Sequence, residues 1–226
     1  MNVFRHAVII AGKDLRSELR TKESFNAALA FSATILILFS FAIDPFSDTL
    51  REMSGGLLWL VFAFAGALVL NRSFAREQAN DCLDVLLASP ASGASLFLGK
   101  AFANFMLLLL VELISLPIFA VLYGMNLMAN PPLLLGVLGL ATWGMTVVGT
   151  TFSALTVNLS IRELMLPVLV YPMIIPVLMS AMKLTTLLLS AATFTTGDWL
   201  WFRLLIGFDI IFTAAALALV DSILVG

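Results

Sequence analysis

From Phe25 to Ile43 the chain runs for 19 residues without a single charged side chain, and comparably apolar stretches recur up to its C-terminal end. An α-helix rises 1.5 Å per residue, so about 20 such residues match the hydrocarbon thickness of a bilayer. The runs are near-continuous rather than alternating, which is not the pattern of a transmembrane barrel, and an open sheet edge in lipid would leave backbone groups unpaired. With 61% hydrophobic and 12% charged side chains in 226 residues, the nonpolar surface exceeds what one soluble core can hide, and the surplus must face lipid. The fold class is an all-α integral membrane protein.

Six spans are predicted, at about 25–43, 57–71, 101–123, 133–157, 164–182 and 201–224, in a single membrane domain covering 1–226. Asp44-Pro45 stops the first, and a polar loop with Asp48, Arg51 and Glu52 leads through Gly55-Gly56 into the second. Lys183 closes the fifth. Ahead of the spans, Phe4, Val8, Ala11, Leu15 and Leu19 recur at helical steps across residues 3–20, with charges mostly between them. This is an amphipathic helix lying on the membrane surface or, in the plainer reading, a helix packed on the rest of the protein. With the N-terminus inside, Arg5, Lys13, Arg16, Arg20, Lys22, Arg72, Arg76, Lys100 and Arg162 fall on the cytoplasmic side, and only Arg51, Lys183 and Arg203 lie outside. That nine-to-three split predicts that both termini are cytoplasmic.

The most informative polar segment is 71–100, between the second and third spans. Its charges crowd the first half, Ala79, Leu83, Leu86 and Leu87 share a helical face, and Ser89-Pro90 ends the helix. A short amphipathic helix there can dock into a groove of a cytoplasmic partner or rest on headgroups. Glu112, in the third span, and Asp209, in the sixth with Arg203 six residues before it, are charges in hydrocarbon, each costing at least about 2.5 kcal/mol unless neutralised, paired or wet. They serve a substrate or proton path, or they only hydrogen-bond between helices. Pro167, Pro172 and Pro176 should kink or locally unwind the fifth span. Gly136, Gly139, Gly144 and Gly149 in the fourth span read first as helix packing and second as a dimer seam.

Counting excludes several chemistries. His6 is the sole histidine and Cys82 the sole cysteine, so no histidine triad, bis-histidine haem site, thiolate cluster or internal disulfide can be built within the chain, and no metal site is expected. Cys82 reads as a small apolar residue of the docking helix. There is no G-x-x-x-x-G-K-[ST] phosphate loop, so if ATP drives this protein another chain binds it. No basic tract suggests nucleic acid.

Two blocks carry a resemblance. Leu57-Leu58-Trp59, Arg72-Ser73-Phe74, Leu83-Asp84-Val85-Leu86, Ser89-Pro90 and Leu98-Gly99-Lys100 form the first; Ala154 to Leu159, Leu166 to Pro172 and Ile175 to Leu178 form the second. In this order, over about residues 10–220, they resemble the B subunit of the haem exporter of cytochrome c maturation, a membrane permease of the ATP-binding-cassette type. The sequence departs from that pattern at Asn71, at Asp81-Cys82 and at Ser160 to Glu163. The resemblance implies a non-catalytic subunit of the bacterial inner membrane, embedded in lipid, which binds no cofactor itself. It also implies several partners: a cytoplasmic ATPase subunit holding ATP, a second copy of this chain, a haem-handling membrane protein and a periplasmic haem chaperone. Haem is then the candidate cargo, or release of the loaded chaperone is the step that ATP drives. The contact with the ATPase would fall on Arg76, Glu77, Leu83, Asp84, Leu86 and Leu87. Two rivals remain: the membrane half of a drug or lipid exporter, and an intramembrane enzyme using Glu112 and Asp209 as paired acids.

Overall fold

The computed structural model describes residues 3–43, 47–74, 92–127, 129–156, 162–190 and 194–225. They form seven helices: α1 (Val3–Thr21), α2 (Glu23–Ala42), α3 (Asp48–Leu70), α4 (Gly93–Tyr123), α5 (Pro131–Thr156), α6 (Arg162–Leu189) and α7 (Trp199–Val225). Six of them, α2 to α7, are long and apolar enough to cross a membrane, and α1 precedes them.

Serine caps set two of the boundaries. Ser47 accepts from the Leu50 amide at 3.2 Å and starts α3 about two turns before Gly55-Gly56, so Asp48, Arg51 and Glu52 belong to the helix and not to a preceding loop. Ser92 caps α4 through the Ser95 amide and hydroxyl, so the third span begins at Gly93 instead of near residue 101 and carries Lys100 inside its second turn. At the other end of α6, helix continues past Lys183 to Leu189, because one charged residue between apolar turns does not break the backbone ladder. Pro167, Pro172 and Pro176 lie within α6, which is helical throughout. Local unwinding, one of the two outcomes expected there, is not found: each proline removes one amide donor, and the remaining bonds of the flanking turns hold the coil.

Helices α3 and α5 occupy the centre, with 67% of each apolar stretch buried, against 17% for α2. α5 packs on α4, α6 and α7, while α3 packs on α2 and α6. Close approach of α3 to α6 depends on Gly55, where a Cβ would collide with the Met182 carbonyl and the Thr186 side chain. One turn on, the buried Trp59 indole donates to Thr185 Oγ1 at 2.9 Å. Tyr123 closes α4 by donating to the Leu36 carbonyl of α2 at 2.7 Å.

α1 seats on α4. Ala7, Ile10 and Ala11 face inward, and a Cβ at Gly99 would come within 2.8 Å of the Ala7 carbonyl and of Ile10. The stripe expected from periodicity is split: Ala11 is buried and Leu15 packs against the core, whereas Phe4 is 80% exposed, Val8 66% and Leu19 57%. Small side chains win the protein contact because the two helix backbones approach closely. The packing reading holds for that face, and the large apolar residues form a separate outward flank. The corner into α2 is fixed by Glu18, whose Oε1 accepts from the amides of Ser24 at 2.7 Å and Phe25 at 3.0 Å, while Lys22 takes a left-handed conformation at φ 54°.

Candidate functional site

The residues proposed to contact an ATPase, Arg76, Glu77, Leu83, Asp84, Leu86 and Leu87, lie outside the described residues, as does Cys82. What the structure does describe is where that segment leaves the bundle. Ser73 and Phe74 follow the end of α3, and Phe74 is buried. Lys100 of α4 donates to the Ser73 carbonyl at 2.8 Å and to Asp14 Oδ2 of α1 at 3.2 Å, and its ammonium lies 4.7 Å from the centre of the Phe74 ring. The Lys100 side chain is fully buried; the Asp14 side chain is 19% exposed and is shared with Lys13 at 3.0 Å. A turn further along α4, Asn104 donates to Ser73 Oγ at 2.8 Å and to Thr150 Oγ1 of α5 at 3.0 Å. Beside this group, Arg72 pairs with Glu23 at 2.7 Å and joins the end of α3 to the start of α2. α4 therefore holds Ser73 and Phe74 directly, and its Lys100 and Asn104 are in turn bonded to Asp14 of α1 and Thr150 of α5.

The polar face of α4 continues into the membrane. Lys100, Asn104, Glu112 and Ser115 lie on one side of it, interrupted by Leu108. On α5, Thr142, Thr146, Thr150 and Ser153 form the facing row, and all four are buried. The Asn104–Thr150 bond and a second from the Thr142 hydroxyl to Glu112 Oε2 at 2.6 Å share one antiparallel register. Glu112 is completely buried, and its Oε1 and the neighbouring Ser115 Oγ have no hydrogen-bond partner among the described residues. Asp209 lies on the other side of α5: a Cβ at Gly144 would fall 2.6 Å from its Oδ1. Positions 142 and 144 are about 200° apart around a helix, so α5 stands between the two acids and they form no pair. Neither oxygen of Asp209 has a partner among the described residues, and Arg203 is exposed and does not reach it. Of the four glycines read as packing positions, Gly144 and Gly149 serve as such, against Asp209 and Leu70, while Gly136 and Gly139 face open space.

At the opposite end of the bundle, where α2 and α6 finish and α3 and α7 begin, there is a cavity of about 730 Å³. Phe39, Leu60, Met179, Met182 and Trp201 supply apolar wall, and Glu52, Lys183 and Asp198 supply charge. Asp198 is held below the usual carboxylate range by the Thr195 hydroxyl, at 2.7 Å, and then by the Thr195 amide, at 2.8 Å. His6 is half-buried on α1, and no group of three or more metal-ligating side chains occurs among the described residues.

Residues 5–224 match the profile of the CcmB protein family. The chain belongs to that family. Among relatives, the heme exporter protein B of Rhodobacter capsulatus is 34% identical over 176 residues, covering 77% of this chain and 80% of the relative. That of Pseudomonas aeruginosa is 29% identical over 225 residues, covering 100% and 99%, and that of Paracoccus denitrificans 31% over 166 residues, covering 74% and 76%. The family resemblance drawn from the two sequence blocks is thereby established, and with it a membrane protein built like a transporter subunit.

Glu112 and Asp209 stand out in the sequence as acids within spans, whereas nothing in it singles out Lys100, Asn104 and Asp14 as one group. The signal for Asn104 was present as the four-residue step from Lys100 along α4, matched by the threonine row of α5. Nothing local marks Asp14, because its partner lies 86 residues away in the chain.

Proposed function

We propose that this chain is the membrane-spanning subunit of an ATP-binding-cassette transporter of cytochrome c maturation. It passes the work of a separate ATPase subunit to export of haem, or to release of a haem-loaded periplasmic chaperone. The observation that carries this reading is the family match over residues 5–224, together with relatives named as heme exporters, one of which aligns over the whole chain. The sequence has no phosphate-binding loop of its own, in keeping with ATP held by a partner. Residues 76–87 are the proposed contact, and the distribution of lysine and arginine puts them, with both termini, on the cytoplasmic side of the inner membrane. Two ATPase subunits need two docking segments, so a second copy of this chain completes the assembly.

Purification of the chain from its membrane in mild detergent tests the reading. It should retain a soluble ATPase at one copy per copy of this chain, together with haem-handling proteins; the chain alone, from a complex shown to be intact, refutes it. Charge reversal at Arg76 and Glu77 together should remove most of the co-purifying ATPase without lowering the amount of chain in the membrane.

A further inference from the structure

We infer that Lys100 and Asn104 of α4, with Asp14 of α1, are positioning residues that clasp Ser73-Phe74, so that a displacement of the chain just beyond Phe74 is delivered to α4 and α5. This rests on the reading above, in which the following segment meets an ATPase. The end of α3 could have been left to run into the next segment as an ordinary turn. Instead, the Ser73 carbonyl, the Ser73 hydroxyl and the Phe74 ring are each held by α4, through Lys100 at 2.8 Å, Asn104 at 2.8 Å and the ammonium 4.7 Å from the ring centre.

A buried ammonium is expensive unless it is paired and hydrogen-bonded, and a lysine used only to flank a span would reach water. Lys100 does not reach water: its side chain is fully buried, and it is paired with Asp14 of α1 and donates to Ser73 beyond the end of α3. Asn104 likewise divides its two amide protons between Ser73 and Thr150, joining the end of α3 to the C-terminal third of α5. From there the Thr142–Glu112 bond, in the same register, binds α5 and α4 again at mid-span. Hydrogen bonds of this kind are directional and short-ranged, so a shift of Ser73 must either break them or carry α4 and α5 with it. The arrangement is a mechanical joint between a docking segment and the helices that would line a path.

The test uses the full complex in vesicles. Lys100→Met keeps the length of the side chain and loses its donors; Asn104→Leu loses both amide bonds and leaves no charge unpaired. Each variant should keep the ATPase at wild-type stoichiometry and hydrolyse ATP within about twofold of the wild-type rate, while the yield of mature, haem-stained c-type cytochrome in cells falls at least tenfold. Wild-type cytochrome yield in a well-folded variant overturns the inference, and so does loss of the ATPase, which would make these residues part of docking. If Lys100→Met does not accumulate in the membrane, Asn104→Leu decides the matter alone. A wild-type chain that holds no ATPase overturns the underlying reading and this inference with it, a result distinguishable from failure of the variants alone.

Discussion

The two ends of α3 are held in opposite ways. At its start, Gly55 lets the backbone press against α6 and the Trp59 indole is buried on Thr185, so the contact is one of shape with a single polar pin. At its end, Ser73 and Phe74 are held by an amide and by an ammonium that is itself paired with the Asp14 carboxylate, so the contact is one of charge and direction. Contacts of shape lose energy when volume changes; contacts of charge lose it when one partner is removed. The first kind suits a hinge that must not slip, the second a connection that must transmit force.

Substitutions at the two ends break or sharpen this contrast. The largest loss is expected for Asp14→Leu, which strips the carboxylate from a fully buried ammonium and should cost about 3 kcal/mol or more, read as a lowered thermal midpoint in detergent. Lys100→Met is expected to cost less than that, because Asp14 is partly exposed and keeps Lys13; equal losses would remove the asymmetry. Gly55→Ala should cost about 1–3 kcal/mol, since the Met182 carbonyl is backbone and cannot step aside, and the same assay should show no dependence on salt. Thr185→Val keeps the shape and leaves the indole N–H without its acceptor, for about 1–2 kcal/mol; a neutral result would mean that shape alone holds that end. The smallest effect is local. Because the bound Asp198 titrates below its unfolded value, the turn 195–198 is fully held above the usual carboxylate range and released as pH falls through the lowered value, which hydrogen exchange at the Thr195 amide would report.

Much of this fold was legible because hydropathy alone locates helices in lipid. The six spans, the helix before them and the family were all readable. The starts of α3 and α4 were not, because caps at Ser47 and Ser92 set them while the first turns carry polar or small residues that read as loop. On α1, periodicity marked Phe4, Val8 and Leu19, which face outward, and Ala11, which is buried, but not Ala7, because close helix contact selects small side chains that carry little hydropathy signal. At the site, Glu112 and Asp209 stood out as charges in hydrocarbon, but nothing in the sequence told that α5 separates them. Lys100 looked like the flank of a span until α1 was seen to cover it.

The seating of α1 also has a consequence in time. Asp14 and Lys100 lie 86 residues apart, and at synthesis rates of about 5–20 residues per second Asp14 is made roughly 4–17 s before its partner. Through that interval the inward face of Ala7, Ile10 and Ala11 is without its partner, while the outward flank of Phe4, Val8 and Leu19 is free to rest on the membrane surface. The helix therefore waits on lipid while α2 and α3 insert, and is captured by its own chain when Gly99 and Lys100 emerge.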